Sequence, residues 1–232
     1  MNNNLALFDL DHTLIPIDSD YQWANFLAKT GRAGTTPEIA INLNNELMHK
    51  YNQGKLSIEE SAEFMLGLLK MHTPYDLAKF HEEFMQKIVR PSIKNQAIEI
   101  VKKHLNKGDL CAIVTATNNF VTTPIARAFG IPYLIATEAE YINGRYTGKF
   151  IGTPSFKEGK IIRVNQWLST LNYNFDNFKN TYFYSDSIND LPLLEKVTNP
   201  IATNPSEKLR YIAQKRNWET IDIFDSLDDN KS

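Results

Sequence analysis

The sequence predicts an α/β protein: a doubly wound parallel sheet with a small all-helical unit inserted after the first strand. Three observations carry this. The continuous apolar run at 5–8 reads as a strand buried on both faces, as parallel-sheet strands are. From Pro16 to Arg90 the apolar residues recur at helical spacing, and no strand-like run interrupts them. From Pro91 onward, helical segments and short apolar runs alternate, the pattern of βαβ units in a parallel sheet.

Taken in order, the helical block has periodic segments at 21–27, 39–51, 58–71 and 77–89. Asn52-Gln53-Gly54 and Thr73-Pro74 punctuate it. Ser57 with Glu60 three residues later is a capping-box signal, and Thr73 before Pro74 marks another helix start. After Pro91 come a helix at 93–105, a turn at Lys107-Gly108-Asp109 and a strand at 110–115. A helix at 118–129 and a strand at 133–136 follow. Asn143-Gly144 between 138–142 and 145–150 is a strong hairpin signal. A helix at 158–171, a strand at 181–185, a short helix at 191–196, a strand at 198–203, a helix at 206–216 and a last strand at 219–223 complete the pattern. The polar tail at 225–232 is expected to fray. The domain expectation is therefore a core of 1–15 and 91–232, with a helical domain at 16–90.

The 232 residues, 42% hydrophobic, suffice for one good-sized core with a smaller second unit. A net charge of −2 gives no basic footprint for nucleic acid or for an anionic membrane surface. The single cysteine, Cys111, excludes an internal disulfide framework and a cysteine-rich zinc site, and it reads as a small core residue. No targeting leader is expected before the first strand, and no apolar run approaches a membrane span. The expectation is a cytoplasmic protein without stable membrane association.

Three strands end in chemically pointed residues. Asp9 and Asp11 follow the first; side chains at i and i+2 of an extended segment share a face. Two carboxylates held together repel and favour a hard cation with oxygen ligands, Mg²⁺ above all. The alternative is a turn residue followed by a helix N-cap. The strand at 110–115 runs through Thr115-Ala116-Thr117-Asn118 into a helix. Free N–H groups at that helix start and the Thr115 hydroxyl suit a phosphate, while ordinary capping by Thr117 or Asn118 fits as well. The strand at 181–185 runs into Ser185-Asp186-Ser187-Ile188-Asn189-Asp190, which is open to reading as a capped loop. Open α/β sheets bind ligands at this edge, from the ends of several strands. Two acidic ends and one anion-binding end together describe a metal-assisted phosphate site. Lys157 and Lys160 are the candidates to neutralise its charge.

These segments, in this order, resemble the four motifs of the haloacid dehalogenase-like superfamily: Asp-Leu-Asp-His-Thr-Leu at 9–14, the apolar run ending at Thr115, Lys160 in Glu-Gly-Lys-Ile-Ile, and Ser-Asp-Ser-Ile-Asn-Asp at 185–190. The helical insert resembles the first cap type of its phosphoserine phosphatase-like branch. The resemblance implies that Asp9 is a nucleophile forming an aspartyl-phosphate and Asp11 a general acid and base. It implies Mg²⁺ held by the Asp9 carboxylate, the Asp11 carbonyl and Asp186. Thr115 and the N–H of Ala116 would bind the phosphoryl group, with Asn189 assisting. Lys160 would stabilise the charge, and Asp190 would orient metal waters or Lys160.

Thr115-Ala116-Thr117 stands where phosphoserine phosphatase has a Ser-Gly-Gly run. Asp18 occupies the place of an acidic cap residue that meets the substrate amine. The stretch 11–20 is similar to a sister group that includes histidinol-phosphate phosphatases, with related enzymes acting on lipid phosphates. Asp18 or Asp20 is expected either to contact a cationic substrate group or to N-cap the first helix of the insert, a role that falls first to Ser19 or Asp20. The implied function is a Mg²⁺-dependent phosphomonoesterase for a small phosphorylated metabolite, histidinol phosphate or phosphoserine. The alternatives are a lipid-phosphate phosphatase and a phospho-aspartate binding module without turnover. Tyr21, Trp23, Phe64, Phe80 and Phe84 are expected mostly in the helical unit's core, with one or two facing the site. Arg90, His49, His72 and His81 are expected at the surface. The His12 side chain is expected to point away from the aspartates.

Overall fold

The computed structural model describes residues 4–53 and 55–224. Its strands are β1 (Asn4–Phe8), β2 (Leu110–Asn118), β3 (Tyr133–Ile142), β4 (Arg145–Ile151), β5 (Asn180–Ser185), β6 (Asn199–Thr203) and β7 (Glu219–Ile221). They form one sheet in the order β4-β3-β2-β1-β5-β6-β7. Only the β3–β4 pair is antiparallel among these; the other neighbours run parallel. The expected α/β fold forms, and the first strand lies at the centre of the sheet. β1 lies between β2 and β5, so the C-terminal ends of all three open at one sheet edge.

Alternation along the strands builds two cores. Leu5 and Leu7 face one side with Ala112, Val114 and Phe183, covered by α8 (Glu158–Thr170), α9 (Leu191–Lys196) and α10 (Glu207–Lys215). Ala6 and Phe8 face the other side with Cys111, Ile113 and Tyr184.

That second core is continuous with the inserted helices: α1 (Ser19–Lys29), α2 (Pro37–Asn52), α3 (Ile58–Lys70) and α4 (Pro74–Phe84). Thr36, Ser57 and Thr73 cap α2, α3 and α4 by accepting from backbone N–H groups, with Pro37 and Pro74 at the first helical position. The helix expected over 77–89 instead starts at its Thr73 cap and gives way to a π-helical turn at Met85–Val89, then to the short α5 (Arg90–Ser92). α6 (Asn95–Leu105) and α7 (Asn119–Ala128) complete this layer.

Trp23 is the hinge pin of the packing. Its ring stacks on His81 at 5.5 Å and meets Phe84 at 5.3 Å and Phe120 of α7 at 5.6 Å. His81 is therefore buried rather than at the surface, because its Nε2 donates to the Val121 carbonyl at 2.9 Å. On the far side α3 lies against β4. Gly148 in β4 faces Gly67 and Lys70 of α3 and takes φ +86, a backbone conformation that favours glycine.

Three boundaries differ from expectation for local reasons. The segments expected at 133–136 and 138–142 are one ten-residue strand, folded back by Asn143 and Gly144 at φ 50 and 78. β2 runs on to Asn118, whose side chain accepts from Val121 N–H and so starts α7 one residue later. β7 stops at Ile221 because Asn204 Oδ1 takes the N–H groups of Ile223 and Phe224. The tail expected at 225–232 lies outside the described residues. No helix among the described residues is long and apolar enough to cross a membrane.

Candidate active site

Each strand end is shaped locally. After β1, the Leu10 carbonyl accepts from the N–H groups of Thr13, Leu14 and Ile15, winding the chain into a tight loop. His12 takes φ 58 in that loop, a conformation costly for a side chain, and Asn204 Nδ2 holds its carbonyl at 3.0 Å. The winding returns Thr13 to Asp9. Thr13 Oγ1 donates to Asp9 Oδ2 at 3.0 Å, lies 3.3 Å from Asp186 Oδ1 and accepts from Asp186 N–H at 3.0 Å. One buried hydroxyl thus ties the first and last acidic strand ends together. At β2, the ladder to β3 shifts register between Val114 and Asn118. Such irregularities re-aim residues beside sites. Thr115, Ala116 and Thr117 all line the cavity, with the Ala116 carbonyl fixed by Thr137 Oγ1 at 2.8 Å.

Lys160, only 2% exposed, reaches the same point from the start of α8. Its Nζ donates to Asp9 Oδ1 and Asp190 Oδ2, both at 2.7 Å. Asp190 is held in turn by Ser185 Oγ at 2.7 Å. Gly159 makes the approach possible, because a Cβ there would lie 2.1 Å from the Pro154 carbonyl oxygen. Lys157 takes no part in these contacts and extends over the Phe156 ring.

Asp11 diverges from Asp9 although both line the cavity. Its Oδ1 accepts from Ser19 N–H at 2.8 Å and its Oδ2 from Thr117 Oγ1 at 2.8 Å. Asp18, not Ser19 or Asp20, is the N-cap of α1: Ser19 N–H is directed to Asp11, and Asp18 Oδ1 accepts from Tyr21 N–H at 2.7 Å. Asp20 Oδ1 accepts from Asn118 Nδ2 at 2.9 Å. Asn189 lies at the rim, where its Nδ2 donates to Tyr51 of α2 at 3.3 Å.

Burial governs the electrostatics. It raises Asp9, while the Lys160 charge and hydrogen bond pull the other way. Burial and then the Asp18 charge push Asp11 up to about 6, against hydrogen bonds from Ser19 and Thr117. Asp186 and Asp190 are also raised by burial, with Asp9 adding repulsion to each. Burial alone would lower Lys160, but the charges of Asp190 and Asp9 outweigh it and hold the ammonium protonated.

The donors fit a hard divalent cation. Among the described residues no three His, Cys, Asp or Glu side chains converge on one point. Mg²⁺ does not require that: it takes one or two carboxylates and keeps several waters. Asp9 and Asp186, tied by Thr13, supply two carboxyl groups side by side, and a cation between them would favour their ionised forms.

These groups floor a cavity of about 460 Å³. Asp18 and Asp20 line it from α1; Leu47, Met48, Leu56, Met65 and Leu66 form an aliphatic wall. None of the five aromatics expected to supply a facing residue lines it; Tyr51 and Phe156 do. His12 also lines it, close enough for its charge to lower Asp18. Thr13, Thr117 and Tyr51 are the contacts that sequence reading missed.

The model of the haloacid dehalogenase-like hydrolases matches residues 6–195. The chain belongs to that family. Histidinol-phosphatase of Neisseria meningitidis is 41% identical over 95% of this chain and 99% of its own length. A phosphoserine phosphatase of Mycobacterium tuberculosis is 27% identical over 94% of this chain and 70% of its own. Among solved structures, a Bordetella pertussis protein of unknown function superimposes with a TM-score of 0.94 at 61% identity, covering 97% of this chain and all (100%) of that one. A substrate-bound phosphoserine phosphatase shares the fold, with a TM-score of 0.66 at 20% identity over 95% of this chain and 92% of that one. Within the family, the chain is a phosphatase.

Proposed function

We propose that the protein is a Mg²⁺-dependent phosphomonoesterase that hydrolyses a small phosphorylated metabolite through a phosphoryl group carried on Asp9, with histidinol phosphate as the leading candidate substrate. The observation that carries this reading is the Asp9–Lys160–Asp190 bridge at the cavity floor, with Asp11 at the same cavity. Lys160 and Thr13 keep the buried Asp9 carboxylate usable as a nucleophile. An Asp9 oxygen attacks phosphorus, and the bond to the substrate oxygen breaks. Asp11 gives its proton to the departing alcohol. A water then attacks the same phosphorus and passes its proton to Asp11, which releases inorganic phosphate and restores Asp9.

A carboxyl raised to about 6 changes protonation readily near neutral pH, as an acid that becomes a base must. Ser19 and Thr117 hold it away from Lys160 in that role. Thr115 and Ala116 line the cavity, and in this reading the Thr115 hydroxyl and the Ala116 N–H would meet the phosphate oxygens. The Asp9 and Asp186 carboxylates and the Asp11 carbonyl would hold Mg²⁺, whose charge would stabilise the phosphoryl oxygens. Residues 16–90 act in this reading as a cap, which encloses a small solute and supplies the contacts that select it. The similarity to the Neisseria histidinol-phosphatase supports histidinol phosphate over phosphoserine. The test is hydrolysis of an aryl phosphate and of histidinol phosphate with Mg²⁺. Asp9→Asn should lose several orders of magnitude in kcat; unchanged turnover would remove Asp9 as nucleophile.

A further inference from the structure

Tyr51 departs from the aromatic residues that build the core of the inserted helices. It stands in the last turn of α2 and is 42% exposed, whereas Trp23 and Phe84 are fully buried. Yet it lines the cavity, and its hydroxyl accepts from Asn189 Nδ2 at 3.3 Å, across 138 positions of the chain. The hydroxyl end is enclosed. Burial raises it, and the charges of Asp18, Asp186 and Asp9 add to this against the Asn189 hydrogen bond, pushing it up to about 12. The ring thus stands at the mouth, with one edge in solvent and its polar end among the acids.

Both sides of this contact are held. α2 is fixed to α1 through Asn44, whose Nδ2 donates to the Tyr21 carbonyl and to Asn25 Oδ1, both at 3.0 Å. On the sheet side, Asn189 N–H donates to Ser187 Oγ and Ser187 N–H to Ser185 Oγ, both at 3.2 Å. Ser185 Oγ donates in turn to Asp190 Oδ2 at 2.7 Å, the same oxygen that Lys160 holds. The turn at Ile188–Asp190 is therefore built onto the charged bridge at the floor, and it sets where Tyr51 meets the core. Among the described residues Asn189 is the hydrogen-bond partner of the hydroxyl, and it is the donor. The phenol's own hydrogen is thus spent on no acceptor among them, and a phenol raised to about 12 keeps that hydrogen at neutral pH. Such a donor suits an anionic oxygen, and a phosphate ester bound at Asp9 brings several.

We infer that Tyr51 is a phosphate-binding residue supplied by the inserted helices: its hydroxyl donates to an oxygen of the substrate's phosphoryl group while accepting from Asn189. This rests on the proposed phosphatase reading, which puts the phosphoryl group at Asp9. The phosphate contacts expected from the sequence, Thr115, Ala116, Asn189 and Lys160, all belong to the α/β core. Tyr51 adds one from the helical unit, so the phosphoryl group is held from both sides of the cavity. The hydroxyl binds and transfers no proton. Because it reads the phosphoryl group and not the alcohol, it bears on every ester alike.

The test is Tyr51→Phe, which removes one oxygen from a partly exposed ring. Tyr21→Phe is the control, because the Tyr21 hydroxyl donates to Asn45 and does not line the cavity. kcat/KM is measured on histidinol phosphate and an aryl phosphate, beside competitive inhibition by inorganic phosphate. A hydrogen bond to a charged oxygen corresponds to about 10- to 100-fold. The expected result is that loss in Tyr51→Phe, equal on both esters, with the inhibition constant of phosphate raised in step and Tyr21→Phe unchanged. A loss on one ester alone would put the hydroxyl on the alcohol and overturn the proposal. No loss would overturn it too, as would a loss with phosphate inhibition unchanged, the result of a gate that affects entry only. Calorimetric titration of inorganic phosphate with Mg²⁺ present separates this from the phosphatase reading. If no ester is hydrolysed but phosphate binds and Tyr51→Phe weakens it, the contact stands while the reaction does not. Phosphate bound equally by both proteins, or by neither, removes Tyr51 from the site.

Discussion

Gly159→Ala is the smallest change that should disable the site without touching a reacting group. The new Cβ would stand 2.1 Å from the Pro154 carbonyl oxygen, a backbone atom already accepting from Phe156 N–H at 2.9 Å. The contact has to open by roughly 1 Å to reach even a tight packing distance. Neither side yields easily, since Gly159 N–H is bonded to the Phe156 carbonyl and Lys160 N–H to that of Lys157. Forced overpacking of this kind costs about 1–3 kcal/mol, so the melting temperature should fall by roughly 2–12 °C in a chain of this size. The next residue is Lys160, whose Nζ sits 2.7 Å from both Asp9 and Asp190. A displacement of about 1 Å there should lower kcat by about 10²-fold. The assay is aryl phosphate hydrolysis at saturating Mg²⁺ beside a thermal melt, with Ile162→Ala on the exposed face of the same helix as control. A Gly159→Ala protein with wild-type kcat and melting temperature would refute the claim that close packing at the start of α8 places the lysine.

Three further outcomes follow from the same contacts. Asp186→Asn should raise the melting temperature in chelator at pH 7 to 8, because it relieves a carboxyl that burial and Asp9 hold in its neutral form; Mg²⁺ at about 100 times its Kd should add about 2.7 kcal/mol to the wild type and far less to the variant. Thr13→Val preserves volume but leaves Asp186 N–H without its acceptor, so urea unfolding should show a loss of about 1–3 kcal/mol together with a fall in kcat. At the opposite end of the sheet, burial lowers the pKa of His104, whose Nδ1 meets Asp109 Oδ2 at 2.7 Å and whose Nε2 meets Tyr184 at 2.8 Å. The folded state then binds fewer protons than the unfolded one, so stability from this group is full above pH 6.5 and is lost as the pH falls below it; the difference in unfolding free energy between wild type and His104→Asn should shrink from pH 7.5 to pH 5.5.

The fold was legible where burial is one-dimensional. Leu5 to Phe8 are buried on both faces, so a continuous apolar run is all a central parallel strand requires. Asn143-Gly144 announced the hairpin because its positive φ values are a local demand. Asp9, Thr115 and Asp186 were legible because strand ends at one edge meet automatically once the sheet forms. The partners of those residues were not. Thr13 reaches Asp186 across 173 positions, and Thr117 reaches Asp11 across 106. Nothing local distinguishes them from capping residues. Periodicity identified the apolar residues of the helices but not which stripe faces the cavity. Trp23 and Phe84 are therefore core, while Leu47, Met65 and Tyr51 line the site. His81 is buried only because the Val121 carbonyl waits forty residues on, and Asp18 caps α1 only because Asp11 takes the next N–H.

The most direct measurement follows the phosphoryl group itself. Enzyme mixed with phosphorus-labelled histidinol phosphate and Mg²⁺ is quenched in acid within the first turnover, digested and mapped. The expected label lies on the peptide carrying Asp9, disappears when the reaction is allowed to run before the quench, and is absent from Asp9→Asn. Label on another residue, or steady release of phosphate with no label bound to the chain at any time, would contradict transfer through Asp9.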